Sequence, residues 1–287
     1  MKIFVILSVL LCVAGVSPAQ SVQYYEEKIA YHHSQLAAAS NDTIRELACD
    51  SMRIHFEKML VLPEAMTYPF GAFKFCALIS ADERMRLFNW NLPYQDGTHK
   101  YFGYVLVKEK KDKPHWYVEL SDAIKDQDKI ENRLLPQDRW LGALYYEIIP
   151  MTKKNCDTYT LLGWDGKDRL STRKIIDVIN IQNKKVRFGE NAFKAGENVR
   201  KRMLLEYSEE VSASVKYYER EKCILFDHLS PKSPMMAGIY SDYGPDGTYD
   251  MLVLKKGKWE LLENVDISKF VDKGSKPFID PRTGRRQ

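Results

Sequence analysis

Three short stretches hold the residues best suited to chemistry: Leu87-Phe88-Asn89-Trp90-Asn91, Leu161-Leu162-Gly163-Trp164-Asp165 and Leu225-Phe226-Asp227-His228-Leu229. Each closes an apolar run with a flat ring beside a short polar side chain. Laid over one another, Trp90, Trp164 and His228 fall in register, as do Asn89, Gly163 and Asp227. Ring faces can cover the apolar side of a sugar or peptide while Asn and Asp fix its orientation. The expected ligand-binding set is Trp90, Asn91, Trp164, Asp165, Asp227 and His228. The same residues admit a plain packing role, because a Trp at a strand end often wedges between sheets and Asp-Gly often makes a turn.

A second chemistry is hydrolysis by Asp165, Asp227 and His228. It requires two groups whose surroundings push their pKa values apart, or a His oriented by an acid. Neighbouring residues on a strand point to opposite faces, so Asp227 is poorly placed to orient His228. No G-x-S-x-G or H-E-x-x-H motif supplies a nucleophile or a catalytic metal. The expectation is a noncatalytic binding role, with a hydrolase as the alternative.

Other motifs point to no cofactor and no metal. Asp242, Asp246 and Asp250 are spaced by four, unlike the alternate oxygen ligands of a calcium loop, and Pro245-Asp246-Gly247 reads as a turn. His32, His33 and His55 read as parts of a solvated helix surface. No phosphate loop occurs. Cys49, Cys76, Cys156 and Cys223 permit two disulfides in an exported chain, Cys156 with Cys223 being the preferred pairing, with free buried thiols as the alternative. Asn41-Asp42-Thr43 matches an N-glycosylation sequon and serves only as a hint.

The elements that must position these residues are strands. Residues 145–188 read as four strands in succession, and similar runs flank them. The first unit has strands near 73–79, 86–91, 101–108 and 116–120, and the second near 145–151, 158–166, 173–181 and 186–188. The third has strands near 203–207, 212–218, 223–227, 238–240, 249–255 and 259–262. Stretches 122–139 and 189–200 read as connectors. Ahead of the strands, 21–39 and a second segment capped by Asn41 or Asp42 and ending before Pro63 carry helical spacing. Its expected apolar positions are Ile44, Leu47, Cys49, Ile54, Met59 and Leu60. The fold class is therefore mainly β with an N-terminal helical hairpin, in three four-stranded antiparallel repeats arranged as a propeller-like stack or a large β-sandwich.

Lys2, the apolar run 3–16 and Ser17-Pro18-Ala19 have the layout of a cleaved secretory signal. This leader resembles those of bacterial envelope proteins, which implies a periplasmic or secreted location. The expected organisation is a signal peptide at 1–19, the helical hairpin at 20–62, the β-repeat domain at 63–268 and a flexible basic tail at 269–287. A formal charge of +4, evenly mixed along the chain, gives no reason to expect a nucleic acid partner. No later stretch is long and apolar enough for a membrane span after signal cleavage. The expected partner is an envelope protein or glycan.

Overall fold

The computed structural model describes residues 21–72, 77–109, 113–124, 127–151 and 157–270. The leader, the tail from 271 onward, Cys76 and Cys156 lie outside the described residues, and so does one partner of the preferred disulfide. Cys49 and Cys223 are buried free thiols.

Two antiparallel helices come first among the described residues. Helix α1 (Val22–Ala38) is capped by Ser21, whose hydroxyl accepts from the Tyr24 amide at 3.2 Å, and α2 (Asp42–Leu60) by Asn41, which accepts from Ile44 N at 3.0 Å. Pro63 stops α2 and starts a 3-10 turn, Pro63–Met66. The buried stripe of α2 is Cys49, Met52, Phe56 and Met59, at helical spacing. Ile44, Leu47 and Ile54, expected to be inward, are instead 42%, 63% and 52% exposed. The helix is apolar on two faces, and only one meets the sheet.

The first sheet is an antiparallel meander of β1 (Ala77–Ile79), β2 (Met85–Pro93), β3 (His99–Val107) and β4 (Trp116–Ser121), in that order. Alternation sorts its residues to two covered faces. Phe88, Trp90, Leu92, Phe102, Tyr104 and Leu106 share a core with the helices. Met85, Leu87, Tyr101, Val105 and Val107 share another with the next sheet. Because both faces are covered, the strands read as near-continuous apolar runs.

The chain continues through β5 (Leu135–Pro136), β6 (Leu144–Pro150), β7 (Thr158–Asp165), β8 (Ser171–Gln182) and β9 (Lys185–Phe188), then the short strands β10 (Phe193–Ala195) and β11 (Asn198–Arg200), then β12 (Met203–Ser208). The second sheet has the order β5-β9-β8-β7-β6. The first half of β8 also pairs with β12, Met203 lying opposite Ile176 and Ser208 opposite Ser171. The strand expected at 203–207 in the third unit thus belongs to the second sheet. The last strands are β13 (Val215–Tyr218), β14 (Cys223–Pro231), β15 (Tyr243–Lys255) and β16 (Lys258–Leu262), and the third sheet has the order β11-β10-β16-β15-β14-β13.

Three more expectations need correction. Residues 189–200 are more than a connector, because β10 and β11 extend the third sheet. The strand expected at 238–240 is absent, and a 3-10 turn occupies Tyr240–Asp242. Pro245-Asp246-Gly247 lies inside β15, where the pairing with β14 slips between Asp227 and Leu229 and Asp246 accepts from the Thr248 amide at 2.9 Å. The turn chemistry is real, but it makes an irregularity within a strand pair rather than a hairpin end.

Stretch 122–139, read as a connector, supplies β5, which pairs with β9, and two 3-10 turns, Ile130–Asn132 and Gln137–Arg139, and Arg202 also ties it to the second sheet. That guanidinium is fully buried. It donates to Asp177 at 3.0 Å and to the carbonyls of Ile130 and Arg133. Residues of the second and third sheets share a third core, with Leu162, Ile176 and Val178 on one side and Phe226, Leu252 and Trp259 on the other. The result is a mainly β series of helices, first sheet, second sheet and third sheet, with no closed barrel or propeller among the described residues.

Candidate functional site

The six expected site residues fall into three places. Trp90 points to the helices and is 2% exposed, its ring stacked on Phe56 at 4.8 Å and on Phe102 at 5.3 Å. This is the alternation of β2 at work: Trp90 takes the helix side and leaves Asn89 and Asn91 for the other.

Asn91, Trp164 and Asp165 come together where the ends of the first and second sheets meet. Asn91 Nδ2 lies 2.8 Å from His99 Nδ1, and the His99 ring meets Trp164 edge-on at 5.4 Å. Gly166 is what lets the imidazole in: a Cβ there would lie 2.4 Å from His99 Nε2. Burial holds the His99 pKa below its ordinary value, against the pull of Asp165.

Asp165 is 4% exposed and fully engaged. Its Oδ1 accepts from the Tyr101 hydroxyl and from Lys167 N, both at 2.9 Å, and its Oδ2 accepts from Arg173 Nε at 2.9 Å and from Arg173 Nη2. Tyr101 OH accepts in turn from Gly166 N at 2.7 Å. Burial first, and the Asp165 charge second, push the Tyr101 pKa well above its ordinary value. Arg173 Nη1 donates to Gln127 Oε1 at 2.8 Å, so the ion pair also anchors the connector. Beside it, Asp122 accepts from Tyr101 N at 2.9 Å, and burial raises its pKa to about 6.

Asp227 and His228 lie on β14 in the third sheet. Asp227 Oδ2 accepts from Ser214 N at 2.6 Å, and burial raises its pKa. His228 Nδ1 lies 2.8 Å from Asp250 Oδ2, across the strand pair rather than beside its chain neighbour. That hydrogen bond raises the His228 pKa. Asp250 is in turn held by Asn264 N at 3.0 Å.

Chemically, the arrangement does less than the sequence allowed for. Neither Trp90 nor Trp164 presents an open ring face, the carboxylate of Asp165 is saturated by donors, and His228 is paired with Asp250, not with Asp165 or Asp227. Sequence reasoning missed Tyr101 and Arg173, and weighed Asp250 only as a calcium ligand, not as the partner of His228. A signal for Arg173 existed: Arg173, Lys174 and Asp177 are charges inside an otherwise apolar strand, and all three are buried.

An open concavity lies elsewhere. A half-open groove of about 670 Å³ runs between the end of α2 with its 3-10 turn and the start of β4, lined by Val61, Met66, Lys108, Lys113, Trp116 and Tyr117 among others. Among the described residues, no group of three or more His, Cys, Asp or Glu side chains is placed to hold a metal ion, and no helix is long and apolar enough to cross a membrane. No protein-family model, curated protein or solved structure matches the chain.

Proposed function

We propose that the chain is an exported, noncatalytic binding or assembly module of the bacterial cell envelope, built from three four-stranded antiparallel repeats and recognising a protein partner or glycan. The repeat reading is supported by the pairing, since β1 to β4, β6 to β9 and β13 to β16 are each four sequential strands hydrogen-bonded in order. The observation that carries the function is the engagement of the catalytic candidates. Both oxygens of Asp165 accept from Tyr101, Lys167 and Arg173, a pattern that serves packing between sheets, whereas the groove beside Trp116 is open. The location rests on the leader alone.

Two measurements test this reading. Sequencing the N-terminus of the mature protein should find Gln20 first. A panel of chromogenic esters, glycosides and peptides should show no turnover that depends on the candidates. Turnover abolished by both His228→Ala and Asp165→Asn would overturn the binding role in favour of the hydrolase.

A further inference from the structure

The groove between α2 and β4 combines three features that no single packing role explains. Its walls are apolar and aromatic, with Val61 and Met66 on the helix side and Trp116 and Tyr117 on the strand side. Among the described residues that line it, the only full charges are the ammonium groups of Lys108 and Lys113, and none is a carboxylate. Both side chains are exposed, and neither ammonium has an ion-pair partner among the described residues. The strand that supplies Trp116 and Tyr117 is also an edge. β4 is the last strand of the first sheet and, among the described residues, pairs only with β3. Its far side is closed at Ser121, whose carbonyl accepts from Trp140 N at 2.8 Å, and the 3-10 turn Gln137–Arg139 packs against the strand there. From Trp116 to Leu120 the outward amides and carbonyls have no hydrogen-bond partner among the described residues.

An unpaired strand edge offers a row of main-chain donors and acceptors, which an extended peptide can meet by adding a strand. An apolar groove beside it takes alternate side chains of that peptide, and two unpartnered ammonium groups favour a carboxylate. A sugar is a poorer fit, since its hydroxyls need a dense set of polar partners and the nearest imidazole, His115, already lies 2.7 Å from the Leu60 carbonyl oxygen through Nε2. Building on the binding role above, we infer that this groove docks an extended apolar segment of a partner protein that carries a carboxylate, paired along β4 and neutralised by Lys108 and Lys113.

Intrinsic fluorescence gives a local reporter. Trp90, Trp140, Trp164 and Trp259 are at most 4% exposed, whereas Trp116 is half-buried and lines the groove. The experiment pans a displayed library of short random peptides with free C-termini against the full mature protein. Selected sequences are then synthesised and titrated with the emission read out. Binders should pair an acidic side chain or free C-terminus with apolar residues and change the Trp116 emission. They should lose about tenfold or more in affinity against Lys108→Glu/Lys113→Glu, or when the peptide carboxylate is amidated or its backbone N-methylated. The double variant alters only exposed side chains, so an unchanged thermal midpoint separates lost binding from lost folding.

Peptides that bind with no sensitivity to charge reversal would place the binding elsewhere, overturning the groove but keeping the binding module. Binding of dodecanoate or chitotriose, in place of peptides, with the same lysine dependence would overturn the peptide assignment. If none of these probes binds, both the groove and the module reading fall.

Discussion

The side-chain amide of Asn89 joins two sheets by acting as a stretch of strand: its Oδ1 accepts from Tyr145 N at 2.6 Å and its Nδ2 donates to Tyr145 O at 3.3 Å. Asn89 is 1% exposed, so no water competes for these groups. Replacing Asn89 by Leu keeps the volume but leaves the buried amide and carbonyl of Tyr145 unsatisfied. A loss of about 2–4 kcal/mol is expected, read as a lower midpoint in guanidinium unfolding with little change in slope. An unchanged midpoint would show that the two sheets are held by their apolar contacts alone.

The buried pair Asp165 and Arg173 should behave asymmetrically. Arg173→Leu strands a carboxylate at the sheet junction and should cost about 3–5 kcal/mol. Adding Asp165→Leu removes the orphaned charge and should recover most of that loss. Chemical denaturation of both single variants and the double closes the cycle.

Two histidine sites should respond to pH in opposite senses. The His32 and His55 rings stack 5.3 Å apart across the helical hairpin. Burial holds both pKa values below the ordinary 6.5, helped by Lys28 at His32 and by His32, Lys58 and Lys28 at His55. The unfolded chain then binds more protons, so this contribution is intact above pH 6.5 and is lost as pH falls below it. His228, raised by its hydrogen bond to Asp250, contributes stability below pH 6.5 that is lost as pH rises through its folded value. Midpoints measured across pH should lose the acid-side fall in His55→Gln and the alkaline-side fall in His228→Gln.

Glu147 on β6 is expected to weaken the fold at neutral pH. Burial raises its pKa from 4.5 to about 7, against the Tyr217 backbone and Lys216, which favour the charged form. The folded state retains a proton that the unfolded state has released, so stability declines as pH rises from 4.5 to about 7. Glu147→Gln should remove that slope and melt above the parent at pH 8, a comparison made by calorimetry.

Much of the strand layout was legible in the chain because turn chemistry separates apolar runs of the right length. Strands expected near 86–91, 101–108 and 116–120 are β2, β3 and β4, and those near 145–151, 158–166, 173–181 and 186–188 are β6 to β9. The allegiance of β12 was hidden, since local pattern says that a residue is extended but not which edge it joins. The three-residue strands β10 and β11 are too short to show a period. The candidate site was legible only as far as strand ends in common: Asn91, Trp164 and Asp165 do meet through His99. Their partners Tyr101 and Arg173 come from the strands beside them, and whether Trp90 faces solvent or core depends on the helices that cover it. The groove at Trp116 is made by two segments about fifty residues apart in the chain, and no local motif announces it.

The layered series also has a mechanical meaning. Among the described residues, no core cluster is common to the first and third sheets, and the helices share one only with the first. A pull between Ser21, beside the helices, and Phe270, which rests on Tyr218 of the third sheet, therefore loads the three interfaces one after another. The weakest interface alone sets the force at which the chain begins to extend, and the layers beyond it keep their shape while it opens.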